Sequence, residues 1–110
     1  MDQSLEVVLK GIDKAKGMDT IVFNFNQLNP SIDYVVITSA SNLRQVTAIS
    51  DYIVEGLREN NLPLKHVEGG RDSKWILVDA DHVIVHVFEE SERHVYALEK
   101  LYAGCEVVKI

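Results

Sequence analysis

Residues 74–88 contain two strand-forming runs, Trp75-Ile76-Leu77-Val78-Asp79 and His82-Val83-Ile84-Val85-His86-Val87-Phe88, separated only by Ala80-Asp81. β-branched and aromatic residues favour extended chain, and so short a connection makes the two runs an antiparallel hairpin. With Ala80-Asp81 as the turn, Asp79 faces His82, Leu77 faces Ile84 and Trp75 faces His86. Side chains alternate along a strand, so one face carries Trp75, Leu77, Asp79, His82, Ile84, His86 and Phe88. The other carries Ile76, Val78, Val83, Val85 and Val87. This second face is wholly aliphatic, a floor for packed helices. The first mixes a large aromatic with imidazoles and a carboxylate, as partner-binding surfaces do; the alternative is that Trp75 and Phe88 are core and the histidines satisfied within it. A slip of one residue would exchange the faces.

The rest of the chain supplies helices for that floor. Leu5, Val8, Leu9, Ile12 and Ala15 recur at helical spacing, with Ser4 as candidate N-cap and Gly17 as candidate stop. Gly11 within this helix costs about 1 kcal/mol relative to Ala, which makes the helix dependent on docking. Residues 20–25 alternate as a strand, with Ile21, Phe23 and Phe25 on one side. Leu28-Asn29-Pro30-Ser31 reads as a turn, and residues 34–39 as a strand so evenly apolar that it belongs at the sheet's centre. Ser41 or Asn42 starts the next helix, Asn42 with Gln45 having the form of a capping box, and Val46, Ile49, Ile53 and Leu57 lie on its core face. A short strand at residues 64–68, a turn at Gly69-Gly70-Arg71-Asp72, the hairpin and a closing helix at residues 89–102 complete the order α-β-β-α-β-β-β-α. The helical crossover requires parallel strands and the short turns antiparallel ones. The expectation is an α/β single domain over residues 1–110, with a mixed five-stranded sheet flanked by helices.

At 110 residues the chain has room for one domain, and 46% hydrophobic with 25% charged residues is the balance of a globular protein. Its apolar runs fall far short of the roughly 20 residues that cross a bilayer. The first residues lack the basic and apolar segments of a secretory signal, so a cytoplasmic location is expected. A lone Cys105 forms neither an intrachain disulfide nor a thiolate metal site. The formal charge of −6 argues against nucleic acid as the main contacted surface and favours a basic partner.

No catalytic constellation assembles from the remaining candidates. His82 and His86 lie about 13 Å apart along a strand, too far to share an ion. Asp79, Asp81 and His82 could converge at the turn, where Asp is common for backbone reasons alone. Gly69-Gly70 followed by Asp79-Ala80-Asp81 distantly resembles the glycine turn and paired carboxylates of nucleotidyltransferases, yet Asp81 falls in the turn rather than on the strand. Ser39-Ala40-Ser41 offers hydroxyls at a strand-to-helix junction but no glycine for close backbone approach. The expectation is no catalytic residue, no cofactor and no metal, with a nucleotide-binding enzyme of nucleotidyltransferase type as the alternative.

Longer segments carry a more specific likeness. Asp33-Tyr34-Val35-Val36-Ile37-Thr38-Ser39-Ala40-Ser41, Arg44-Gln45-Val46 with Ala48-Ile49, and Val67-Glu68-Gly69 are arranged as in the ribosomal silencing factors, also called the Iojap family. So are Trp75-Ile76-Leu77-Val78-Asp79, Val83-Ile84-Val85-His86-Val87-Phe88, and Tyr96 followed by Leu98-Glu99-Lys100-Leu101-Tyr102. The chain resembles that family over nearly its whole length, departing at Ala40, where glycine is usual, and at Tyr102, where tryptophan is. The resemblance implies a nucleotidyltransferase-like fold without the catalytic carboxylates. It implies docking on the large ribosomal subunit through its protein fourteen, which blocks joining of the small subunit and represses translation under nutrient limitation. The contact residues it implies are Trp75, Asp79, Ala80, Phe88, Tyr96, Leu98 and Tyr102, with a homodimer as a competing association.

Overall fold

In the computed structural model, which describes residues 2–96 (94–96 by backbone), 100 and 102–110, the helical stripes form α1 (Gln3–Lys14) and α2 (Leu43–Glu59). The N-cap of α1 is Asp2, whose carboxylate accepts from the Leu5 N–H at 3.0 Å. Ser4, the expected cap, falls in phase with Leu5, Val8 and Ile12 and is buried with them. The helix ends in a Schellman turn: Lys16, at φ 60, donates to Asp13 O and Gly17 donates to Ile12 O. Asn61, at φ 55, closes α2 in the same way.

The Asn42 cap of α2 accepts from Gln45 N at 2.9 Å as the sequence requires. The Gln45 side chain goes further. Its Oε1 accepts from Ser41 N and Oγ, and its Nε2 donates to Ala15 O and Lys16 O, which ties the start of α2 to the end of α1. The helices touch where Gly11 meets Ile53. A Cβ at Gly11 would lie 2.9 Å from Ile53 N and 3.0 Å from its Cα, so the residue that weakens α1 by propensity is what lets the backbones approach.

Six strands form one sheet in the order β3-β4-β5-β2-β1-β6: β1 (Met18–Asn24), β2 (Tyr34–Ala40), β3 (His66–Glu68), β4 (Trp75–Asp79), β5 (Val83–Glu89) and β6 (Glu106–Val108). β2 pairs with β5 in parallel and every other pair is antiparallel, so the sheet is mixed as expected. From β2 the chain crosses by α2 to the far edge at β3 and returns through two antiparallel steps to lie beside β2.

One expectation is corrected here. The sheet has six strands rather than five, because Glu106–Val108 pairs with β1 and covers its otherwise open edge. Three residues are too few for alternation to announce a strand. The described part of the closing helix is α3 (Glu90–Tyr96), with Lys100 helical as well; Leu98 and Leu101 of the helix expected over residues 89–102 lie outside the described residues, Glu89 ends the strand before it, and Tyr102 sits in a turn.

One face of the sheet is sealed by α1 and α2. Val22, Val36, Ala40, Ile76, Val78, Ala80, Val83, Val85 and Val87 pack there against Leu5, Val8, Ile12, Val46, Ile49, Ile53 and Leu57. The opposite face holds a second cluster of Phe23, Val35, Ile37 and Phe88, joined by Ile21, Phe25, Trp75, Ile84, Tyr102 and Cys105. β2 contributes to both, which explains its continuous apolar character. Arg93 of α3 donates through Nη1 to Asp19 O and Ser39 Oγ, both at 2.7 Å, anchoring that helix beside β1 and β2.

Candidate functional site

The hairpin presents the residues singled out in the sequence, with one change of register. The observed pairs are Trp75 with Phe88, Leu77 with His86 and Asp79 with Ile84, displaced by two residues from those expected. The turn is Asp81-His82 rather than Ala80-Asp81, and Ala80 N donates to Val83 O at 2.9 Å. Asp81 takes a left-handed φ of 71, which Asp tolerates, while the small Ala80 is fully buried in the helix-covered core. Because the side-chain period is two, this displacement leaves both faces of the strands as assigned.

His82 is the residue that the new turn removes from the mixed face. Its Nε2 lies 2.9 and 3.1 Å from the two Asp2 carboxylate oxygens, and its carbonyl accepts from Asp33 N and Tyr34 N. Burial alone would raise the Asp2 pKa, but the Leu5 N–H and His82 outweigh it and hold the carboxyl below its ordinary value. Asp2, Asp33 and His82 are the one trio of metal-ligating residue types, among the described residues, with ligand atoms within 4.8 Å of one another. The cap and the His82 contact already account for Asp2.

The two carboxylates of the turn do not converge. Asp79 accepts from Asp81 N at 3.0 Å, and its other oxygen faces His66 Nδ1 at 3.6 Å. Asp81 faces Lys65 Nζ at 3.5 Å. Asp79 therefore shapes the turn, and the paired-acid arrangement of a metal-dependent transferase is not formed. The hydroxyls at the β2–α2 junction are engaged as well: Ser39 with Arg93, and Ser41 with Gln45. Gly69 has a structural duty, since at φ 92 a Cβ there would lie 2.8 Å from Trp75 O.

What the hairpin does assemble is a group of three rings. Trp75 stacks on Phe88 with centroids 5.1 Å apart and planes 27° from parallel. Its indole Nε1–H donates to His86 Nδ1 at 3.2 Å, and His86 lies 13° from parallel to Phe88. Phe88 is 1% exposed and His86 8%, while Trp75 remains half-buried. Burial pushes the His86 pKa down to about 4, so the imidazole is neutral at pH 7. Trp75 is thus an accessible aromatic on a rigid base.

The other expected contact residues divide by accessibility. Asp79 is half-buried at the hairpin's end, and Tyr102 lies against Phe23 and Phe25 with both centroid distances 5.4 Å. Burial, with the Cys105 thiol beside it, raises the Tyr102 pKa. Ala80 and Phe88, also expected at the contact, are sealed in the two cores. The side chain of Tyr96 and the whole of Leu98 lie outside the described residues. Sequence reasoning did not assign His86 a role at the site, although its place on the same hairpin face as Trp75 and Phe88 was the available signal.

Comparison with known proteins follows the same outline. A family model described as "ribosomal silencing factor during starvation" matches residues 1–110. The chain is 33% identical over 106 residues to the ribosomal silencing factor RsfS of Bacillus subtilis, covering 96% of this chain and 90% of that one. A mouse protein named for mitochondrial assembly of the ribosomal large subunit is 32% identical over 73 residues, which are 64% of this chain and 32% of the mouse protein. A crystal structure of a Chromobacterium violaceum protein superposes with a TM-score of 0.88 at 26% identity, covering 94% of this chain and 88% of that one.

Proposed function

We propose that this chain, which belongs to the family of ribosomal silencing factors, binds the large ribosomal subunit through its protein fourteen and blocks joining of the small subunit. Translation is thereby repressed when nutrients are limiting. The action is steric and takes place in the cytoplasm. The observation that carries this reading is Trp75, half-buried and stacked on a buried Phe88, on the sheet face that α1 and α2 leave uncovered. A rigid aromatic with part of its surface in water is the usual anchor of a protein interface. The charge of −6 suits a basic ribosomal protein as target, and the name of the mouse relative points to the large subunit.

Within this reading Trp75, Asp79, Tyr96, Leu98 and Tyr102 form the contact surface, and Ala80 and Phe88 hold it in place. A homodimer through the same face competes with docking. The fold is nucleotidyltransferase-like, with catalysis absent because Asp79 and Asp81 serve the turn and face His66 and Lys65.

Trp75→Ala tests the reading. Loss of the anchor should weaken co-sedimentation with large subunits by about thirtyfold, or 2 kcal/mol. The domain should remain folded, since the aliphatic core beneath α1 and α2 is untouched. Wild-type subunit binding by the variant would remove Trp75 from the interface. An unfolded variant would make Trp75 a core residue instead.

A further inference from the structure

We propose that His86 is the positioning and specificity residue of the docking face: its Nδ1 fixes the Trp75 indole, and its Nε2–H is the hydrogen-bond donor offered to a backbone carbonyl of the docked protein. The second half rests on the docking function proposed above.

The assignment begins with the indole, whose N–H only donates. Its 3.2 Å contact therefore makes His86 Nδ1 the acceptor. An imidazole that accepts at Nδ1 carries its proton on Nε2. Stacking fixes the rest of the geometry, because His86 lies nearly parallel to Phe88 and 5.8 Å from the Trp75 ring centroid. Phe88 is itself immobilised in the core. The ring so held has one donor left.

No described residue consumes that donor. Among the described residues His86 Nε2 has no hydrogen-bond partner, and no buried side-chain nitrogen or oxygen is left unsatisfied, so Nε2 reaches solvent through the 8% of His86 that is exposed. It emerges beside the half-buried Trp75, where a partner covering the indole also covers the imidazole. A donor covered without an acceptor loses its hydration for nothing, so the partner must supply one. The imidazole is uncharged, which favours a neutral acceptor. A main-chain carbonyl is the one that a basic surface offers wherever its side chains point.

The lone tryptophan gives a single indole N–H resonance, which reports the first half without any ribosome. In the wild-type chain the imidazole nitrogens should show an unprotonated Nδ1 and a protonated Nε2, and the indole proton should exchange slowly. His86→Phe keeps a ring but no acceptor; indole exchange should accelerate and large-subunit binding weaken about tenfold or more. His86→Asn places an amide oxygen near the position of Nδ1 and has no counterpart to Nε2; the indole should stay protected while binding weakens about fivefold, one neutral hydrogen bond. An Nδ1–H tautomer in the wild type, or a protected indole in the Phe variant, overturns the positioning role. Wild-type binding by a folded Asn variant overturns the donor role. Should that variant not fold, the Nε2–H exchange rate in the wild-type complex decides, and exchange as fast as in the free chain overturns the donor role. Trp75→Ala run alongside keeps the two readings apart: if it binds as wild type, the docking function has failed, while the indole and imidazole signals still decide how Trp75 is held.

Discussion

The two faces of the β4–β5 hairpin are made by alternate residues of the same strands, yet they meet opposite surroundings. Ile76, Val78, Val83, Val85 and Val87 lie under two helices with no polar atom among their side chains. Trp75, Leu77, Ile84, His86 and Phe88 form a face that is only partly closed, and at its centre a hydrogen bond replaces simple packing. An aliphatic face gains stability from every methyl buried and gives a partner nothing to recognise. The aromatic face gives up some burial and keeps two directional groups in fixed positions. Stability and recognition are thus divided between neighbouring residues, so substitutions on the two faces should fail differently.

The sharpest contrast comes from the covered face. Ile53 is fully buried against Gly11 and the sheet-facing core, so Ile53→Ala should cost about 4 kcal/mol in unfolding free energy. Denaturant titration measures that loss, and subunit binding per folded molecule should be unchanged. Trp75→Ala has the opposite pattern. Equal losses of stability and binding in both variants would dissolve the distinction between faces.

Acid should distinguish them next. His86 titrates near 4 in the folded chain against 6.5 unfolded. As pH falls the unfolded chain takes up the proton first, so stability is complete above about pH 6.5 and declines down to about pH 4, by roughly 3 kcal/mol. The difference in unfolding free energy between wild type and His86→Phe, followed across that window, should carry this slope. A flat difference would mean that His86 is not buried as a neutral base.

Smaller effects test the contact between helices and the turn. Gly11→Ala improves helix propensity by about 1 kcal/mol but drives a methyl into the Ile53 backbone, and overpacking of that kind costs about 2 kcal/mol. A net loss of about 1 kcal/mol is expected in thermal unfolding, and a stabilised variant would show that the helices slide apart freely. Asp81→Asn should leave stability and subunit blocking almost unaltered, because Asn adopts the same left-handed turn and only an exposed pairing with Lys65 is lost. Loss of blocking by a folded Asp81→Asn chain would give that carboxylate a role in contact or chemistry.

The sequence by itself determined the two helices and their buried stripes, the central place of β2, the hairpin and, apart from Ala80 and His82 at its turn, the membership of its two faces. These follow from periods of 3.6 and 2 that local sterics impose on any chain. It also displayed the segments by which the chain resembles ribosomal silencing factors. Only the tertiary structure decided which residues of the hairpin pair, since a displacement of two residues preserves every face and leaves no trace in the alternation. The tertiary structure alone sent His82 to Asp2, because the turn it joins is selected by the burial of Ala80. It alone added β6, whose three residues become a strand by meeting the free edge of β1. Gly11 shows the same division within one residue: propensity marks it as a weakness, and the Ile53 backbone across the helix contact makes it a requirement. Short-range periodicity is written along the chain, whereas register, edges and close approach depend on which distant surface arrives.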